Sequence, residues 1–230
     1  MASGSAKIGR VVADLDRLRA GLPDGDGIGA FVDVYREVTA LVALRVTDGT
    51  FADPAFTEEL DVRFAGLFLD VPADLAAHRP VPKAWAPLVE RRAHPGILPI
   101  QFALAGMNAH INHDLALAVL ATCAARHCAP EDGTVHRDFE KVNHVLAEVV
   151  RPIRQSFLDE VVVRYGAAAS PLADLVSTFS IERARDAAWV SALTLWHLRG
   201  VPFVESAARD TLARTVGLVG RQLLTVVELG

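Results

Sequence analysis

Cysteine is almost missing from this chain: 230 residues hold two, Cys123 and Cys128. Five positions apart near one helix end, they suit neither a disulfide framework nor a zinc knuckle. Their apolar surroundings also give a cysteine nucleophile no support. A reducing, cytoplasmic location is therefore expected. Clustered positive charge is missing too. Lys and Arg number 23 against 28 Asp and Glu, a formal net charge of −5. Phosphate backbones need concentrated cations, so no nucleic-acid partner is expected. No apolar run reaches the length of a membrane span without a charge or amide in it, so no membrane span is expected. The first seven residues lack the apolar core of a signal peptide. Repeats, low-complexity tracts and alternating β-branched runs are absent. So are a Gly-rich phosphate loop after a strand, a G-x-S-x-G elbow, H-E-x-x-H, and the E-x-x-H pairs of ferritin-like di-iron proteins.

What is present is apolar and helical. Hydrophobic residues make up 51% of the chain and charged ones 22%, which points to a large core, an apolar pocket or a homodimer interface. Ile8, Val11, Val12, Leu15 and Leu18 recur at helical spacing, ending at Gly21 and Pro23. A second helix is predicted over about 29 to 46. A third opens with Asp53 as N-cap and Pro54 in the first turn, and carries Phe56, Leu60, Phe64, Leu67 and Phe68. Residues 71 to 96 hold five of the twelve prolines and read as an irregular connection, interrupted by a short helix over 84 to 92. A central helix is expected over about 98 to 127. A long one, capped by Thr134 and kinked at Pro152, runs to about 165. Another opens at Ser170-Pro171 and runs to 199, and a last one follows Gly200-Val201-Pro202. The reading is one all-α domain of seven or eight helices over residues 1 to 230.

The segment richest in chemistry is Met107-Asn108-Ala109-His110-Ile111-Asn112-His113-Asp114-Leu115. It lies in an otherwise apolar run, where buried polar groups must find partners. At 100° per residue, Gln101, Asn108 and Asn112 share a line with Leu115 and Val119. His110 and Asp114, at i and i+4, fall on another sector with Met107. That spacing puts an imidazole and a carboxylate within mutual reach. It suits an acid/base pair in which Asp orients His, two ligands of a divalent metal, or a satisfied pair within the core. The asparagine line reads first as a clamp on a neighbouring helix.

The next helix carries His136, Asp138, Asn143, His144 and Glu148. His144 and Glu148 repeat the i, i+4 spacing and would be the further ligands if a metal binds. They are equally ordinary as a solvated stripe, and Asp138 as a complement to the helix dipole. Further on, Arg183, Asp186, Trp189 and Trp196 can line an apolar pocket with one polar group at its base, or form core aromatics capped by an ion pair. Asp61, Asp70 and Glu37 could each add a carboxylate, though a lone one is more ordinary at the surface.

The run Phe102-Ala103-Leu104-Ala105-Gly106-Met107-Asn108-Ala109-His110-Ile111-Asn112, with Asp114-Leu115, resembles a mainly actinobacterial family of uncharacterised proteins, the domain of unknown function numbered 5995. Asp53-Pro54-Ala55-Phe56, Asp138-Phe139-x-x-Val142-Asn143 and Arg183-x-x-Asp186-Ala187-Ala188-Trp189 extend the likeness over most of the chain. It implies a helical fold and bacterial origin but no activity. Within it, His110, Asn112 and Asp114 are more characteristic than His113. His113-Asp114 is also similar to the dipeptide of helical HD phosphohydrolases. The His110/Asp114 and His144/Glu148 spacings are similar to those of helical zinc phospholipase C and P1-type nucleases, which use several further histidines and an N-terminal Trp.

The expected function is a small-molecule enzyme doing acid/base chemistry on a hydrophobic substrate: proton transfer, cyclisation or hydrolysis. His110 and Asp114 form the polar centre. Asn108, Asn112 and Asp186 support it, and Met107, Asn143, Arg183, Trp189 and Trp196 contact the substrate. No cofactor is required by that reading. The alternatives are a divalent-metal hydrolase using His110, Asp114, His144 and Glu148, and a non-catalytic lipid or small-molecule binder.

Overall fold

The computed structural model describes residues 5–165 and 179–227, with the stretch 147–165 mainly as backbone. The described residues form an all-α bundle without strands: α1 (Ala6–Ala20), α2 (Gly27–Arg45), α3 (Pro54–Ala76), α4 (Ala86–Arg91), α5 (Pro99–Ala109), α6 (Leu115–Ala125), α7 (Gly133–Tyr165), α8 (Ile181–Leu198) and α9 (Pro202–Leu223). A π-helical turn, His110–Asp114, joins α5 to α6 into one rod. Among the described residues, no helix is long and apolar enough to cross a membrane.

Local chemistry sets the helix starts. Ser5, Asp26, Asp53 and Ser180 each accept a backbone N–H from the first turn that follows them. Pro54, Pro99 and Pro202 stand in first turns, where a missing N–H costs nothing. One proline departs from that rule. The connection predicted from residue 71 starts later, because α3 runs over Pro72 to Ala76. Pro72 cannot donate to the carbonyl one turn back. Buried Phe68 and Val71 on the same helix hold it against the core regardless. The helix α7 continues through position 152. The helix opening expected at Ser170-Pro171 lies outside the described residues, and α8 is described from Ile181.

Two close approaches tighten the packing, one of the central rod on α2 and one of α9 on the segment before α4. At Gly106 on α5, an added Cβ would fall inside contact distance of the Phe31 ring on α2. At Gly217 on α9, it would meet the Lys83 carbonyl oxygen at 2.5 Å. Phe31, Phe68, Trp85, Ile100 and Leu104 belong to the core that results. A second cluster, with Phe56, Leu115, Val119, Phe139 and Trp189, fills the side toward α7 and α8. The rod passes between the two, and the π turn lies where they meet.

Candidate functional site

The π turn closes with the Leu115 N–H on the His110 carbonyl, five residues back. Such a turn takes in one residue more than an α turn, and it is often found where a function is placed. Inside it, Asp114 is the hub. Its Oδ2 accepts from His110 Nδ1 at 3.0 Å and from Trp85 Nε1 at 2.9 Å, and its Oδ1 accepts from His113 Nδ1 at 2.7 Å. All three side chains of the His110–Asp114–Trp85 set are at least 98% buried. Burial alone would raise the Asp114 carboxyl, but the two imidazoles hold it below its ordinary value.

A carboxylate only accepts, so both Nδ1 atoms donate to it. In a neutral His110 ring, Nε2 is then the bare, proton-accepting nitrogen. Burial, working against Asp114, pushes this imidazole below its ordinary value and keeps it neutral. The ring is gripped by aromatics. Phe64 stacks on it at 3.5 Å and 6°, and Tyr35 meets it edge-on at 4.5 Å. Phe31, Phe68 and Trp85 complete the shell, 5.7 to 6.1 Å away.

His110 faces a cavity of about 120 Å³ between α2, α3, the central rod, α7 and α8. The rod contributes Ile100, Leu104, Met107, His110, Ile111 and Leu115. Leu115, grouped with the asparagine line in the sequence, lies at the edge of that line nearest Leu104 and Ile111 and faces the cavity with them. The remaining walls are nearly all aliphatic or aromatic.

Three buried polar atoms on these walls have no hydrogen bond of ordinary geometry among the described residues: His110 Nε2, Tyr35 Oη and Asp61 Oδ2. Asp61 keeps some accessible surface as a residue, but its Oδ2 is enclosed. Burial pushes its carboxyl up to about 7. Burial, with Asp61 nearby, raises the Tyr35 phenol well above its ordinary value, while the Thr39 hydroxyl pulls the other way. Arg185, 95% buried, also lines the cavity. It donates to Asn143 Oδ1 at 2.6 Å and to the Phe139 carbonyl at 2.7 Å, and burial lowers its guanidinium to about 10.

The other candidates lie elsewhere. Asn108 donates to the Val216 carbonyl on α9 at 3.0 Å, and Asn112 donates to Asn108. With Gln101, which bonds the Leu223 and Thr225 carbonyls, they clamp α9 and do not line the cavity. Asp186 and Arg183 are exposed, because the buried polar position of that turn is Arg185. Trp189 packs on Phe139 and His136 in the second core cluster. Trp196 lies under the Arg199 guanidinium beside a shallow depression that also holds Cys123 and Cys128. Asn143 stands behind Arg185 and not on the wall. Met107 does line the cavity. Asp138 accepts the Ala52 and Asp53 N–H groups, so it pins the loop before α3 where a role at its own helix end was expected.

Two metal candidates remain. His144 is exposed, and the Glu148 side chain lies outside the described residues. Among the described residues, no three His, Cys, Asp or Glu side chains are arranged to hold a metal ion. That does not fit a catalytic zinc site, which usually has three protein ligands.

Tyr35 and Arg185 escape the sequence reading, and Asp61 is named there only as one of three carboxylates open to either reading. Tyr35 and Arg185 sit in ordinary amphipathic patterns. One carboxylate beside Leu60 and Phe64 looks like any helix-edge charge. Its i, i+3 relation to Phe64 was the available signal.

These features define an all-α bundle in which a buried His–Asp pair sits on a π turn and its histidine lines an apolar cavity. The chain belongs to a family of unknown function, DUF5995, whose model matches residues 8–226. Searches of curated proteins and of solved structures return no match.

Proposed function

We propose that the protein is an enzyme that uses His110 as a general base on a small, largely apolar substrate, with Asp114 orienting the imidazole. The observation that carries this reading is the His110 ring itself. Its Nδ1 is anchored to Asp114, its Nε2 is enclosed and bare among the described residues, and the ring lines an apolar cavity. A structural histidine of that burial ordinarily satisfies both nitrogens. A neutral, aimed and desolvated imidazole is suited to taking a proton from a bound molecule. Asp114, with Trp85 and His113 on it, fixes the tautomer and stabilises the imidazolium once formed.

The cavity volume limits the guest. An apolar cavity of about 150 Å³ takes benzene, so the substrate, or the part of it that enters, is of that size. The reading needs no metal or cofactor. We also place the protein in the cytoplasm of a bacterium of the mainly actinobacterial range that its resemblance implies. A second reading, a non-catalytic binder of an apolar small molecule, is supported by the almost wholly hydrocarbon walls.

The test begins with mass spectrometry of small molecules extracted from the purified protein. They are then returned to wild type and to His110→Gln. The enzyme reading expects conversion by wild type and none by the variant. A molecule that binds wild type and comes back unchanged establishes the binder. ¹⁵N shifts showing a proton on His110 Nε2 in the free protein at pH 7 would sink the general-base role.

A further inference from the structure

The base is not the only unsatisfied group in the cavity. Tyr35 Oη and Asp61 Oδ2 are enclosed beside it without ordinary hydrogen bonds among the described residues. Tyr35 lies edge-on to the His110 ring, and Asp61 sits one turn before Phe64, whose ring stacks on that same imidazole. Two hydroxyl-type donors and one acceptor therefore share one apolar space of about 120 Å³. Leaving three buried polar atoms unpaired is costly, and a guest that pairs them recovers that cost. The guest must carry an oxygen that accepts from two donors, and a weakly acidic hydrogen for the imidazole.

We propose that the site takes a small apolar ketone or aldehyde with an α-hydrogen, that Tyr35 and Asp61 receive its carbonyl oxygen, and that His110 moves a proton at the α-carbon. This rests on the reading of His110 as a general base. In the step, Nε2 takes the α-hydrogen as a proton. The C–H electron pair becomes the new C=C bond, and the C=O π pair moves onto oxygen, where the Tyr35 and Asp61 O–H groups meet it. Imidazolium then returns the proton to the same carbon, or to a conjugated one, and C=O re-forms. The outcome is isomerisation or exchange at carbon, with no co-reactant. Donors preset for a developing oxyanion in a dry site are strong contributors to such steps. A carboxylic acid held neutral by an apolar site can serve as one of them. The Asp61 carboxyl, raised to about 7, is largely protonated below neutrality. Of the other titratable groups on the walls, Tyr35 stays protonated, His110 stays neutral and Arg185 is cationic. Asp114 stands behind His110 as a carboxylate.

Cyclopentanone, a ring of about benzene's size, is the probe. Its α-hydrogen exchange in D₂O is followed by proton NMR with the full chain, alongside the shifts of Met107 and Leu104 methyl groups. Binding should move those methyls, and wild type should accelerate exchange above buffer. Tyr35→Phe and Asp61→Leu should each slow it by roughly 10- to 1,000-fold, and His110→Gln should return it to background. Asp61→Asn keeps an N–H donor and should fall between. It should also lose the decline in rate that wild type shows above about pH 7. Melting curves confirm that each variant is folded. Failure of cyclopentanone to bind, binding without faster exchange, or exchange indifferent to Tyr35 and Asp61 would each overturn the carbonyl proposal. The His110 tautomer, read separately by ¹⁵N shifts, tells whether the general-base reading falls with it.

Discussion

Asp61 and His110 carry opposite pH dependences. The Asp61 carboxyl is raised by burial to about 7, so its contribution to stability is full below about pH 4 and lost as the pH rises through 7. A shift of that size corresponds to up to about 4 kcal/mol. His110 is pushed the other way, below its ordinary value. The unfolded chain takes up that proton first as the pH falls below about 6.5, so stability is lost toward acid. Between about pH 4 and 6.5 the two trends oppose each other. Asp61→Asn removes one of them. Its melting temperature should exceed wild type at pH 8 and fall more steeply on acidification, a pattern read from thermal melts across pH. His110→Ala is expected to lose roughly 2–4 kcal/mol in denaturant titrations, because it empties the aromatic shell and strips Asp114 of one donor. The His110–Asp114 contact was legible in its spacing, since i and i+4 meet on any regular helix. The cavity's other polar groups were not. Whether Tyr35 or Asp61 faces water or an enclosed space is decided by which helices pack opposite, and one helix's pattern does not carry that.

At the level of elements, the central rod combines two devices. The asparagine and glutamine side chains hold α9 through its carbonyls, while the π turn carries the Asp114 hub and His110 at the cavity. Capping signals placed most helix starts within a few residues. Pro72 does not end α3, because the burial of Phe68 and Val71 beside it outweighs the hydrogen bond it removes. The π turn escaped because a wheel drawn at a constant angle has no means of showing an inserted residue. Gly106 gives the sharpest test of the packing. Its Cβ would collide with Phe31, which also lines the cavity and meets the His110 ring. Gly106→Ala should cost about 1–3 kcal/mol, measured by chemical unfolding. It should also weaken cyclopentanone binding, since Phe31 has to move.

For the molecule as a whole, the dominant feature is a core divided into clusters with a small cavity at the join. A guest that fits only the folded chain stabilises it by mass action, so at 100 times its dissociation constant an apolar ring compound should add about 2.7 kcal/mol. Scanning calorimetry with and without the ligand checks this. Dialysis against a chelator should leave the melting temperature unchanged, because both Asp114 oxygens already accept from His110, Trp85 and His113. A drop of several degrees, reversed by zinc or manganese, would contradict that.

The Phe64 face lies 3.5 Å from the His110 ring and nearly parallel to it. The imidazole protons therefore sit within the shielding cone of a benzene ring current. Their NMR lines should be displaced well upfield and separated from those of the chain's other seven histidines. One resolved signal in an unlabelled sample then follows the protonation of this ring, and any guest that pries Phe64 from it announces itself by a downfield return.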